Sequence, residues 1–124
     1  MKAIYPVTIT TKLDECKQFY MNHFGFTAVF EADWYVQLLH EASKVEIGLM
    51  LPGLKNQPTQ FHDEFSAKGI IYTLEVDDVD AEYERLKDAG VDLFCSPATE
   101  EWGQRHFCLQ DPSGVVIDVV EQVN

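Results

Sequence analysis

Two residues in the last quarter of the chain have the chemistry to move a proton. His106 lies in Trp102-Gly103-Gln104-Arg105-His106-Phe107, and Asp118 lies in Val115-Val116-Ile117-Asp118-Val119-Val120-Glu121. An imidazole titrates near neutral pH, and a carboxylate in an apolar cleft can have its pKa raised and serve as a base. Between them stands Gln110-Asp111-Pro112-Ser113-Gly114, which has strong turn chemistry. Proline presets φ, glycine accepts positive φ, and the aspartate can bond the backbone ahead of it. The segment therefore reads as strand, tight turn, strand, with polar groups at alternate positions. One face is apolar for a core and the other is free to hold a ligand. A four-residue loop would pair Gln110 with Val115 and send His106 and Asp118 to opposite faces. A five-residue loop would put them together, and the sequence leaves both open.

The elements that must position this hairpin come in two similar halves. In the first, a short strand ends at Thr8-Ile9-Thr10. Leu13, Cys16, Phe19, Tyr20 and Phe24 then follow at helical spacing, and Gly25 stands at the stop position. Strands are predicted over Thr27–Glu31, Tyr35–Leu39 and Val45–Leu51. In the second half, Ile70–Val76 is a strand, and Asp77 or Asp78 caps a helix over Val79–Ala89. Val79, Tyr83 and Leu86 mark its buried stripe, and Gly90 ends it. Strands follow near Asp92–Cys95, Arg105–Gln110 and Val115–Glu121. Leu13 corresponds to Val79 and Gly25-Phe26 to Gly90-Val91, an offset of about 66 residues, and such self-similarity is an architectural sign. The prediction is an α+β domain over 1–124, built of βαβββ modules 1–52 and 69–124 joined by a linker or lid, 53–68. Phe61 and His62 would anchor that linker.

The 124 residues are enough for one domain with a core; 46% are hydrophobic and 24% charged, as in an ordinary globular protein. The formal charge of −12 argues against nucleic acid, which needs a basic patch, and permits a cationic ligand, although solubility alone accounts for it. No apolar run approaches the roughly 18 residues of a membrane span, and the first residues show no signal-peptide pattern. Cys16, Cys95 and Cys108 have no CxxC spacing. Their odd number suggests reduced thiols in the cytoplasm, each a small buried apolar residue.

These features taken together resemble the vicinal oxygen chelate superfamily, which includes glyoxalase I, extradiol dioxygenases, fosfomycin-resistance enzymes and bleomycin-resistance proteins. The residues that carry the resemblance are Leu13 through Phe24-Gly25-Phe26, Val76-Asp77-Asp78-Val79-Asp80 through Gly90-Val91, and Asp111-Pro112-Ser113-Gly114 to Glu121. Trp102-Gly103-Gln104-Arg105-His106-Phe107 is similar to the Trp-Gly-x-Arg-x-Phe signature of the bleomycin-resistance-like branch. The resemblance implies curved mixed sheets with a cleft, and a homodimer. In metal-dependent members, four strands each supply one His, Glu or Gln to a divalent ion. Those positions fall at Tyr5, Gly48, Ile71 and Asp118 here. Glycine and isoleucine have no side-chain lone pair, so the expectation is no metal and no cofactor. The alternative is a metal-dependent lyase, dioxygenase or transferase with a displaced site drawing on His106, Asp118, Glu46 and Glu75.

With those four positions as inward markers, period two adds Val7, Ile9, Glu46, Met50, Thr73 and Glu75 to the cleft. Tyr35 and Gln37 join from their own polar alternation with Val36 and Leu38, and Trp102, Gln104 and His106 stand at the rim. Such an aromatic and apolar pocket suits a flat organic ligand with cationic or hydrogen-bonding groups. Tyr5, Met50 and Ile71 could equally fill the cleft or a dimer interface, and Arg105 could pair with a helix acid. The leading expectation is a cytoplasmic protein that sequesters a small aromatic or cationic compound. The competing one is an enzyme using Asp118 or His106 as base.

Overall fold

A computed structural model describes residues 1–66 and 68–123. Residue 67, within the expected linker, and residue 124, at the end of the expected second module, lie outside them. The chain falls into two compact units, Met1–Ser66 and Ala67–Asn124.

In the first unit, β1 (Val7–Ile9) leads to α1 (Leu13–Phe24), β2 (Phe26–Ala32), β3 (Tyr35–His40) and β4 (Val45–Met50). The sheet order is β1-β4-β3-β2, with β1 parallel to β4 and the other pairs antiparallel. Helix α1 packs on β2, β3 and β4. It buries Cys16 and Tyr20 among the alternate residues Val36, Leu38, Ile47 and Leu49. Lys12 provides no side-chain cap, and the chain leading into the helix is held by two other bonds. The Lys12 N–H donates to Thr10 Oγ1 at 3.0 Å, and the Thr11 N–H to the Glu64 carboxylate at 2.6 Å. Gly25 ends the helix at φ +71°, a left-handed conformation glycine adopts without a Cβ clash.

The segment after β4 stays with this unit. The Gly53 N–H donates to the His62 carbonyl at 3.0 Å, and the Phe65 N–H to the Ile9 carbonyl at 2.8 Å. A 3₁₀ turn, Thr59–Phe61, sits between these ties.

The second unit repeats the plan with β5 (Ile71–Glu75), α2 (Val79–Asp88), β6 (Ala98–Glu100), β7 (Gln104–Gln110) and β8 (Val116–Gln122), in the order β5-β8-β7-β6. Asp78 is the cap: its carboxylate accepts the Ala81 N–H at 3.1 Å. The Val79 N–H donates to Glu121 Oε1 at 2.8 Å, which ties the start of α2 to β8. Val79 and Leu86 are fully buried, as are Phe107, Leu109, Ile117 and Val119 of the sheet, and the Tyr83 ring stands edge-on to Phe107 at 5.3 Å.

Two expectations need correction here. The strand near Asp92–Cys95 is only an isolated bridge, Leu93 to Leu109. Pro97 has no N–H and restricts Ser96, so pairing lapses and resumes as β6, with Ala98 opposite His106. Nor are all three cysteines buried. Cys16 is, but Cys95 lies exposed in the looped-out stretch, and Cys108 is half-buried on the sheet face away from α2. No helix among the described residues is long and apolar enough to cross a membrane.

Candidate functional site

The helix-free face of the first sheet forms the wall of an open cleft of about 670 Å³. Strand alternation brings Val7, Ile9, Tyr35, Gln37 and Met50 to it, and Tyr5 joins from just before β1. Phe30, Trp34, Gln57 and Phe61 complete the lining, so five aromatic rings surround it. Tyr35 is ringed by two of them, with centroids 6.2 Å from Phe30 and 5.5 Å from Trp34.

A polar strip crosses the apolar wall. The Tyr35 hydroxyl donates to Gln37 Oε1, and Gln37 Nε2 donates to Glu46 Oε1 at 3.0 Å. Gln37 is nearly buried, so its fixed amide orients both neighbours. Burial, with the Tyr5 phenol and the Glu46 carboxylate adding, holds the Tyr35 hydroxyl above the usual phenol range. It therefore stays protonated and donates. Gly48 lies beneath this ring. A Cβ there would meet the Tyr35 hydroxyl inside contact distance, Val7 Cγ2 at 2.9 Å and Tyr35 Cζ at 3.0 Å. The phenol thus occupies the space that a longer residue at position 48 would need.

Sequence reasoning missed four of the lining residues. Phe30 was missed because β2 is irregular. Ala28 pairs with Leu38 and Phe30 with Gln37, leaving Val29 as an extra residue. Plain alternation from Phe26 sends Phe30 toward α1; the bulge turns it to the cleft. Trp34, Gln57 and Phe61 come from turns and loops, where no period exists to read. The interruption of a polar segment by Phe61 was the one available signal.

In the second unit the hairpin register is decided. Gln110 pairs with Val116, so Asp111–Val115 form a five-residue loop. Asp111 dictates it: its buried Oδ1 accepts Ser113 N–H at 2.8 Å, Ser113 Oγ–H at 2.6 Å and Val115 N–H at 3.0 Å. His106 and Asp118 consequently share the helix-free face, with Nδ1 2.8 Å from Asp118 Oδ1. Glu100 Oε2 stands 4.0 Å from the other nitrogen, Nε2. The imidazole is thus oriented between two carboxylates, with Nδ1 toward Asp118 and Nε2 toward Glu100.

Thr73 lies opposite Asp118, while Ile71 and Glu75 flank it opposite Val116 and Val120. Ile71 is 60% exposed. The exposed Trp102 donates its indole N–H to Gln104 Oε1 at 3.0 Å and sets its ring edge-on to His106 at 6.3 Å. Arg105 points to the other face, where it forks onto Asp80 at 2.9 Å from both Nε and Nη2. It is thereby the structural partner of a helix acid. That hydrogen-bonded pair holds the Asp80 carboxyl below the ordinary range and the guanidinium above its own.

A family model described as the Glyoxalase/Bleomycin resistance protein/Dioxygenase superfamily matches residues 5–119. The chain belongs to this superfamily. Similar solved structures include a glyoxalase/bleomycin resistance protein/dioxygenase from Nocardioides, at 20% identity and a TM-score of 0.81, covering 100% of this chain and 85% of that one. A lactoylglutathione lyase from Agrobacterium tumefaciens is 20% identical with a TM-score of 0.76, over 98% and 94%. A bleomycin resistance determinant encoded on a transposon is 18% identical with a TM-score of 0.68, over 98% of each chain. These likenesses are of fold. No curated protein matches the chain significantly.

Two of the four positions at which the resemblance places metal ligands carry no donor side chain. Position 48 has no side chain and is roofed by Tyr35, and Ile71 offers no donor atom. Of the displaced set, Glu46 is engaged by Gln37, and only His106 and Asp118 are bonded to each other. Among the described residues no three His, Cys, Asp or Glu side chains converge to hold an ion.

Proposed function

We propose that the first unit's cleft binds a flat aromatic compound carrying a cationic or hydrogen-bonding group, and that the protein sequesters it without making or breaking a bond. The carrying observation is the set of five rings around a 670 Å³ cleft crossed by a single polar strip. Rings stack on a planar ligand and attract a cation through their faces. The Tyr35–Gln37–Glu46 strip supplies the few polar groups that fix orientation. The net charge of −12 favours a cation's approach. Neither metal nor cofactor has a role in this reading, and the protein works in the cytoplasm as a homodimer, whose mass sedimentation would measure.

The chain has two tryptophans, so Trp102→Phe leaves Trp34 as the only indole reporter, and it stands in the cleft. Titration with bleomycin and with a simple acridine cation should quench Trp34 saturably. Chelator should not change the curve, and Phe30→Ala with Phe61→Ala should weaken it at least tenfold. No saturable quenching by any planar cation would sink the reading.

The His106–Asp118 pair favours a second reading, an enzyme that abstracts a proton at Nε2. Turnover lost in Asp118→Asn without loss of folding would support this base, and isothermal titration of chelator-stripped protein with nickel, zinc, manganese and ferrous ions tests the metal-dependent form of the enzyme. Stoichiometric binding lost in Asp118→Ala would mark a displaced metal centre and an enzyme.

A further inference from the structure

Cys95 and Cys108 hold their sulfurs 3.6 Å apart, within thiol hydrogen-bond distance, yet neither has a part in the ligand cleft. They meet because the chain before Pro97 leaves the sheet without leaving its neighbourhood. Leu93 bridges Leu109, and the Phe94 N–H donates to the Cys108 carbonyl at 3.1 Å, so the two backbones run side by side. A disulfide needs about 2.05 Å between sulfurs, a closure of about 1.5 Å from the 3.6 Å that separates them. The environments of the two thiols differ. Cys95 is exposed, whereas Cys108 is half-buried and lies opposite Asp118 in the β7–β8 ladder.

We propose that Cys95 and Cys108 form a redox clasp that closes to a disulfide when hydrogen peroxide reaches Cys95. The Cys95 thiolate attacks one peroxide oxygen, the O–O bond breaks, and the departing hydroxide takes up a proton to leave as water. Cys95 is now a sulfenic acid. The Cys108 sulfur then attacks the Cys95 sulfur, the S–O bond breaks, and the departing hydroxide takes up the Cys108 proton to leave as the second water. Two thiols are oxidised by two electrons and one peroxide becomes two waters. Burial, the Cys95 thiol and the nearby Asp118 carboxylate push the Cys108 thiol up to about 11. It stays protonated and inert toward peroxide until Cys95 has been converted. The closed clasp encircles β6 and the start of β7, the stretch that carries Glu100, Trp102, Gln104 and His106.

The full-length protein is treated with stoichiometric hydrogen peroxide, and its intact mass and non-reduced peptides are measured. The expected result is a loss of about 2 Da, a Cys95–Cys108 peptide, and one cysteine, Cys16, still in the reduced form. In Cys108→Ser, Cys95 should accumulate as a sulfenic acid trapped by dimedone. In Cys95→Ser, Cys108 should resist the same dose. Oxidation of both sulfurs without a cross-link, a link through Cys16, or only intermolecular dimers would overturn the proposal. The wild-type peptide map decides this even where a variant folds poorly.

Discussion

Replacing Gly48 by alanine tests whether the Tyr35 ring owns the space above β4. The new methyl group would lie 2.9 Å from Val7 Cγ2 and 3.0 Å from Tyr35 Cζ, with the phenol oxygen nearer still. Since the ring is half-buried and anchored to Gln37 rather than locked in the core, it can swing outward, but only by giving up that hydrogen bond. Overpacking of this kind costs about 1–3 kcal/mol, and the partial mobility of the ring places this case at about 1–2 kcal/mol. The measurement is the urea unfolding midpoint at constant slope. Tyr35→Phe removes the nearest atom. Gly48→Ala should therefore cost less in the Tyr35→Phe background, a coupling of about 0.5–1 kcal/mol. Binding of a planar cation should weaken in Gly48→Ala, because the displaced ring intrudes on the cleft. A Gly48→Ala protein with an unchanged midpoint, or an identical cost in both backgrounds, refutes the claim.

Other consequences can be measured directly. Asp111→Ala leaves the Ser113 and Val115 amides without their charged acceptor and should cost about 2–3 kcal/mol by chemical denaturation. Asp78→Ala removes the cap of α2 and should cost about 1 kcal/mol in the same assay. The Thr11 amide and hydroxyl hold the Glu64 carboxyl below its ordinary value of 4.5, and Arg105 holds that of Asp80 below 3.8. Their stabilisation is thus fully present above those values and is lost as pH falls through the depressed folded pKa values. Glu64→Gln and Asp80→Asn should each lower stability at pH 7 and flatten the acid limb of the profile, so that variant and parent converge at low pH. If the thiol clasp closes, it shuts a loop of roughly 14 residues, which should raise stability by about 3 kcal/mol over the reduced form.

Much of this arrangement was legible in the sequence, for physical reasons specific to each place. The helices announced themselves through apolar residues at helical spacing and through Gly25 and Gly90, the residues that can stop them. The internal repeat foretold two sheets of the same strand order. Tyr35, Gln37, Val7 and Met50 follow from period two on regular strands. What stayed hidden depends on tertiary detail. The hairpin register rests on which amides the Asp111 carboxylate captures, and both loop lengths are plausible for that sequence. Phe30 was concealed by a bulge that leaves no mark in composition. Trp34, Gln57 and Phe61 reach the cleft from irregular chain. The Cys95–Cys108 encounter required knowing that Pro97 pushes its neighbours out of the sheet.

The bulge at Val29 also bears on how the protein behaves at high concentration. Strand β2 ends its sheet, and within the chain its outer side pairs with no strand among the described residues. A straight seven-residue edge of Phe-Thr-Ala-Val-Phe-Glu-Ala would offer a regular row of amides and carbonyls to another molecule. The surplus residue breaks that row midway and sharpens the local twist, so a foreign strand cannot stay in step along it. Deleting Val29 would leave Phe30 opposite Gln37 and the ligand wall intact, but it would straighten the edge into a template. The damage would appear as precipitation and fibre formation rather than as lost affinity. The residue that aims a ring at the cleft therefore also guards the protein's solubility.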